Sequence, residues 1–356
     1  MIDTSLRIAR CIAICLASTL TAQDESHAPV WVGTTDGVIR VFDLELTGKL
    51  TLRAKVAGPK RLRFLAFHPR LPVVYGSVGK GVQMYRIKDR KPEATRSQDA
   101  GVGGTHVEVD PSGRFVFLAS YGGGAVVAFP LNEEGEPGPK CFDLRAPQEL
   151  CRKAHQVRAH PTTPFVYVPC LGDNALQILR IGKKGVAWRG RVRLANGSGP
   201  RHLDFHPNGK RLYVLNELAS TVYAYRIDET SGALTEIQAL SGLPEGREQG
   251  SASSDIHVSR DGRFVYAIHR GPLNQIVAFG VDADGRLTVA GRTPTGGDHS
   301  RSFALSHDGR FVVLAHSKTK NIIVRRIDPE SGVVGEAVDE QKVAAAAIFV
   351  GFRGKR

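Results

Sequence analysis

The chain has 356 residues, 42% of them hydrophobic and 23% charged, and a formal net charge of +13. That is a globular composition, too long for one small domain and long enough for one large repeat domain. The basic residues are scattered without a long Lys/Arg run, which argues against nucleic acid and leaves anionic small molecules as what the positive field favours.

Read from the start, Arg7 and Arg10 precede a short apolar stretch, Cys11 to Ala22, followed by polar "QDES". A basic start, a short apolar core and small residues before a polar segment predict a secretory leader over residues 1–22 and an exported protein, periplasmic or extracellular. The core is too short to span a bilayer, and no later segment is apolar enough to do so. Beyond the leader remain Cys141, Cys151 and Cys170. Three irregularly spaced cysteines make neither a disulfide framework nor a zinc site. A Cys141–Cys151 bridge across a loop and three free thiols are both open readings.

From residue 28 onward the chain repeats. A turn followed by a strand recurs as "HPRLPVVYG" (His68), "DPSGRFVFL" (Asp110), "HPTTPFVYV" (His160), "HPNGKRLYV" (His206), "SRDGRFVYA" (Ser259) and "SHDGRFVVL" (Ser306). A second strand follows each, and its marker positions are Phe42, Tyr85, Phe129, Leu179, Tyr225, Phe279 and Arg325. Successive markers lie 43 to 54 residues apart, all in strand-like sequence. A period in the forties without helical periodicity predicts an all-β seven-bladed propeller of four-stranded blades over residues 28–353. Seven second strands against six first ones imply that N- and C-terminal strands share one blade, which closes the ring.

The innermost strand of each blade lines the central channel. The residues that enter it include Arg63, His106, His155, Arg201-His202, Asp255 and Arg301, and the loops after the next strand add Tyr121, Glu217, His269-Arg270 and His316-Ser317. Small or apolar residues would pack an axis at lower cost, because buried charge must be paired. The cluster reads as a site for a small anionic or polyhydroxylated molecule. Arg201, Glu217 and His155 are its expected catalytic group, with His106, His202, Asp255, His257 and Arg301 as binding residues. His68, His160 and His206 belong to the repeating turn and are read as structural. No metal and no cofactor are expected. "SSDIHVS" holds an Asp and a His two residues apart.

The pieces "GPRHLDFHPNGKRLYVLNEL", "DIHVSRDGRFVYA" and "RSFALSHDGRFVVLA" resemble the lactonase-type seven-bladed propeller family of 6-phosphogluconolactonase and a muconate-lactonizing cycloisomerase. The resemblance implies the same propeller fold and places a proposed His, Arg and Glu site on His155, Arg201 and Glu217. It implies hydrolysis of a sugar lactone to the open-chain acid, and the protein is expected to be a monomer. The alternatives are a lactone cycloisomerase and a non-catalytic exported propeller that holds a glycan or protein partner.

Overall fold

A computed structural model describes residues 28–89, 91–145, 151–247 and 252–353. The leader expected over residues 1–22 lies outside the described residues. Seven four-stranded antiparallel sheets form the blades of a propeller. No helix among the described residues is long and apolar enough to cross a membrane.

Blades I to VI each run outward from an innermost strand: Phe64–Phe67, His106–Val109, Arg158–Ala159, Pro200–Phe205, Ser253–Val258 and Ser300–Leu305. Blade VII is composite. Its innermost strand, Ala347–Phe352, pairs with the N-terminal Ala28–Thr34, and Val38–Leu44 and Leu50–Ala57 complete it. The expected closure by both ends of the chain is therefore present.

The second and third strands of the sheets are largely apolar on both faces, because neighbouring blades cover both. Phe165–Cys170 and Phe311–His316 are buried at every position. Among the described residues, each of seven hydrophobic clusters is shared by two neighbouring blades, so no blade completes a core alone. A ring of such half-cores leaves no unpaired apolar face.

The turn-opening residues do one job with three chemistries. His68 and His160 use Nδ1 to accept the N–H of Leu71 at 2.9 Å and of Thr163 at 3.0 Å. Asp110 accepts the N–H of Phe115 at 2.7 Å, while Ser259 and Ser306 accept those of Phe264 and Phe311 at 2.9 Å. His206 accepts from Asn208 at 3.2 Å. These histidines cap turns, as their place in the repeat suggested. Neighbouring blades are also tied at their hairpins. The Tyr167 hydroxyl donates to the Gly232 carbonyl at 2.9 Å, and Gly232 sits at φ +75, where a Cβ would lie 2.5 Å from the Phe165 ring.

The axis strands carry the feature that positions the site. Between Pro200 and His202, Ser253 and Asp255, and Ser300 and Ser302, the pairing register slips by one. Arg201, Ser254 and Arg301 are the extra residues of three equivalent bulges. A bulge breaks strict alternation and re-aims a side chain, so neighbours such as Arg201 and His202 face the axis at two different depths.

Candidate active site

A cavity of about 450 Å³ opens at one mouth of the central channel. His155, Arg201, Glu217 and Arg301 line it together with Tyr121 and Arg270. Arg201 and Arg301 arrive on bulged innermost strands. Glu217 follows the second strand of blade IV, and its N–H is fixed to the Gly199 carbonyl at 2.8 Å. His155 precedes the short innermost strand of blade III, with its N–H on the Pro169 carbonyl at 3.0 Å.

Two arginines clamp the carboxylate. Arg201 Nη1 donates to Glu217 Oε2 at 2.6 Å, and Arg270 Nη2 donates to Oε1 at 2.9 Å. Arg201 is also held by its Nε on the Ser254 carbonyl at 2.7 Å, and its Nη1 meets His155 Nε2. Arg270 is fixed in turn by the Ala252 carbonyl at 3.1 Å and by His299 Nε2 at 3.2 Å. Arg301 makes no hydrogen bond or ion pair among the described residues, so its donors are free for a ligand.

The charge state follows from this arrangement. Burial pushes the Glu217 carboxyl up, but Arg201 and Arg270 outweigh it and hold the group below its ordinary value. It is a carboxylate at neutral pH. Burial, reinforced by Arg201, holds His155 well below its ordinary value, so it is a neutral imidazole. Burial and the neighbouring arginines draw Arg270 and Arg301 down to about 10, which leaves both charged near neutrality. Three guanidiniums thus face one carboxylate, and Arg61 and Arg63 add two more cations on the same wall. The cavity has a surplus of positive charge and suits an anion or a carbonyl oxygen that becomes one.

Four expected binding residues do not line this cavity. His106, His202, Asp255 and His257 lie deeper, in a network of the channel interior. His202 Nδ1 bonds Asp255 Oδ1 at 2.7 Å, and the other Asp255 oxygen accepts the N–H of Phe303 at 3.2 Å and lies 3.6 Å from His257. Asp204 takes Arg158 at 2.7 Å and the N–H of Val258 at 3.0 Å. Much of this network therefore ties the innermost strand of one blade to the next. His106 stacks on Phe64 with ring centres 3.9 Å apart, and neither of its nitrogens has a hydrogen-bond partner. Of the loop pairs, His269 and His316 are buried within their blades, while Arg270 reaches the cavity. Among the described residues no three His, Cys, Asp or Glu side chains are grouped as a metal ion would need.

Three contributors stand outside the expected catalytic and binding residues. Arg270 was visible in the loop after a second strand but not set apart from its neighbour His269. Arg63 occupies the position in blade I that Arg201 occupies in blade IV, which was a signal. His299, which steadies Arg270, had none beyond its place two residues before Arg301.

The family model described as "Lactonase, 7-bladed beta-propeller" matches residues 29–351. The 6-phosphogluconolactonase of Pectobacterium atrosepticum is 32% identical over 302 residues, covering 83% of this chain and 89% of that protein. The 6-phosphogluconolactonase of Yersinia pestis is 30% identical over 337 residues, 91% of this chain and 98% of its own. Among solved structures, the periplasmic gluconolactonase of Pseudomonas aeruginosa superposes with a TM-score of 0.85 at 26% identity, over 92% of this chain and 99% of that one.

Proposed function

Because the chain belongs to the seven-bladed β-propeller Lactonase family, we propose that it hydrolyses a sugar lactone of the 6-phosphogluconolactone type to the open-chain aldonic acid. The observation that carries this reading is the Glu217 carboxylate held between Arg201 and Arg270 on the wall of a cavity where Arg301 is unpaired.

Water attacks the lactone carbonyl, and Glu217 takes its proton. The oxygen that gains charge is met by Arg201 and Arg301, permanent cations with planar arrays of donors. When the tetrahedral intermediate collapses, the bond from carbonyl carbon to ring oxygen breaks, and the protonated Glu217 returns its proton to the leaving oxygen. The new carboxylate rests on the arginines until it departs. His155 is less suited to be the base. Its Nε2 is occupied by Arg201 and its Nδ1 is buried without a partner, so it positions the Arg201 guanidinium. Tyr121, exposed beside His155 with ring centres 5.5 Å apart, offers a face to a sugar ring.

We also read the protein as exported, on the pattern of its first 22 residues. The test is acid release in a lightly buffered pH-stat assay with 6-phosphogluconolactone, gluconolactone and muconolactone. Release above the spontaneous rate, lost in Arg201→Ala and Glu217→Gln, is the expected result. Which lactone turns over fastest sets the substrate class, and release from none of them would overturn the reading.

A further inference from the structure

The three cysteines of the described chain do not share one environment. Cys141 is exposed and its Sγ bonds the Ala128 carbonyl at 3.4 Å. Cys151 and Cys170 are both 0% exposed, and their Sγ atoms lie 3.5 Å apart. The Cys141–Cys151 pairing left open by the sequence is thus replaced by a contact between Cys151 and Cys170, both free thiols here.

What these two sulfurs join matters for the site. Cys170 ends the second strand of blade III, and Cys151 opens the segment that leads to His155. That segment lies against the end of the strand as an irregular ladder. His155 N–H bonds the Pro169 carbonyl, Ala154 bridges Cys170, and the Leu171 and Gly172 N–H groups bond the carbonyls of Lys153 and Arg152 at 3.2 and 3.1 Å. Lys153 is held at φ +54, a left-handed conformation that a residue with a side chain adopts at a cost. Arg152 closes the segment on Asp173 at 2.6 Å. Arg152 and Lys153 of this turn are exposed while Cys151, Ala154 and His155 are buried, so a covalent tie at its root would fix the turn where it enters the blade.

We propose that Cys151 and Cys170 are an oxidisable pair whose disulfide clamps the His155 segment onto blade III. Bridging brings the sulfurs from contact to bonding distance, about 2.05 Å. One thiolate attacks a disulfide donor such as glutathione disulfide, forming a mixed disulfide and releasing one thiol. The second thiolate then displaces the other donor thiol, so the pair loses two protons and two electrons and the donor gains them. Burial, with Cys151 as neighbour, pushes the Cys170 thiol well above its ordinary value. Cys170 is therefore a slow nucleophile in the folded protein, and both sulfurs are shut away from solvent, so the bond forms as the segment docks.

The test is to refold the full chain with and without glutathione disulfide, alkylate remaining thiols in denaturant, and map the peptides. The expected result is a peptide joining Cys151 to Cys170, with Cys141 alkylated. Recovery of both as alkylated thiols, or a bridge to Cys141, would overturn the assignment. The clamp is read separately. Oxidised protein should lose its structure at a temperature several degrees above that of the reduced form, and the His155 and Leu171 amides should exchange more slowly. Both differences should vanish in Cys170→Ser. Equal melting and equal exchange would show that the bond clamps nothing. Wild-type protein in its two redox states supplies both readings even if the variant fails to fold. Neither reading uses turnover, so the proposal and the lactonase assignment fail independently.

Discussion

The two levels of the channel use the same kinds of side chain to opposite ends. At the mouth, three guanidiniums converge on Glu217 alone, and Arg301 has no partner among the described residues. Deeper, Asp204 and Asp255 are matched by Arg158, His202 and His257, and their remaining lone pairs take N–H groups of the next blade. Charge left unbalanced beside water is available to a ligand, whereas charge balanced in the interior holds strands together. Arg201 and His202 are adjacent in sequence, yet one belongs to each level.

The largest effects should separate the levels. Glu217→Gln is expected to lower kcat by ~10²–10⁴-fold, the usual contribution of a positioned base, with a fold still native by circular dichroism. Asp255→Ala should do the reverse. Stripping the partner from His202 and His257 and the acceptor from Phe303 costs about 3–5 kcal/mol, seen in denaturant unfolding, while kcat of the folded fraction stays within about twofold of wild type, ~0.4 kcal/mol. A Glu217 variant that unfolds with unchanged turnover, or an Asp255 variant that is stable and inactive, would break the comparison.

A smaller effect sharpens it. Arg301→Ala should raise KM for a lactone bearing an anionic group by about tenfold, about 1.4 kcal/mol, and change KM for an uncharged lactone less. Steady-state kinetics on the two substrates gives the ratio, and equal shifts would remove Arg301 from substrate recognition.

The pH dependence of stability reports the interior. Burial holds His269 and His316 at about 4, against about 6.5 in an unfolded chain. Below pH 6.5 the unfolded chain binds protons that the folded one refuses, so stability present above 6.5 is lost as pH falls toward 4. His257 has the opposite sign. Burial pushes it down, but Asp255 and Asp204 overcome burial and raise it to about 9. Its contribution is complete below 6.5 and is lost as pH rises through 9. Melting temperature should therefore peak between these limits, and Asp255→Asn, which leaves only Asp204 to raise His257, should make the alkaline fall smaller. The smallest expected effect is that of His206→Ala, about 1 kcal/mol for one turn hydrogen bond with no change in turnover.

Much of this architecture was legible in the sequence. The turn and strand repeats mark every blade because each needs the same cap and the same two-sided apolar strand. The missing seventh first strand announced the composite blade. His155, Arg201 and Glu217 could be grouped because each departs from what the repeat requires. Depth could not be read. A bulge at Arg201, Ser254 or Arg301 leaves no mark in the residues, since any side chain can occupy it, and without it His202 and Asp255 look like members of the mouth. The contact between Cys151 and Cys170 depends on how an irregular segment folds back on a strand, which periodicity does not describe.

The composite blade also sets an order of events. Val30 pairs with Phe352 and Gly33 with Phe349, so the first strand made meets its inner neighbour only when the last is available. Until then Ala28–Thr34 presents an open edge, and the apolar seams that blade VII shares with blades I and VI are incomplete. Every intermediate length of this chain is an arc rather than a ring. A nascent chain of this design cannot close its ring before Ala347–Phe352 is made.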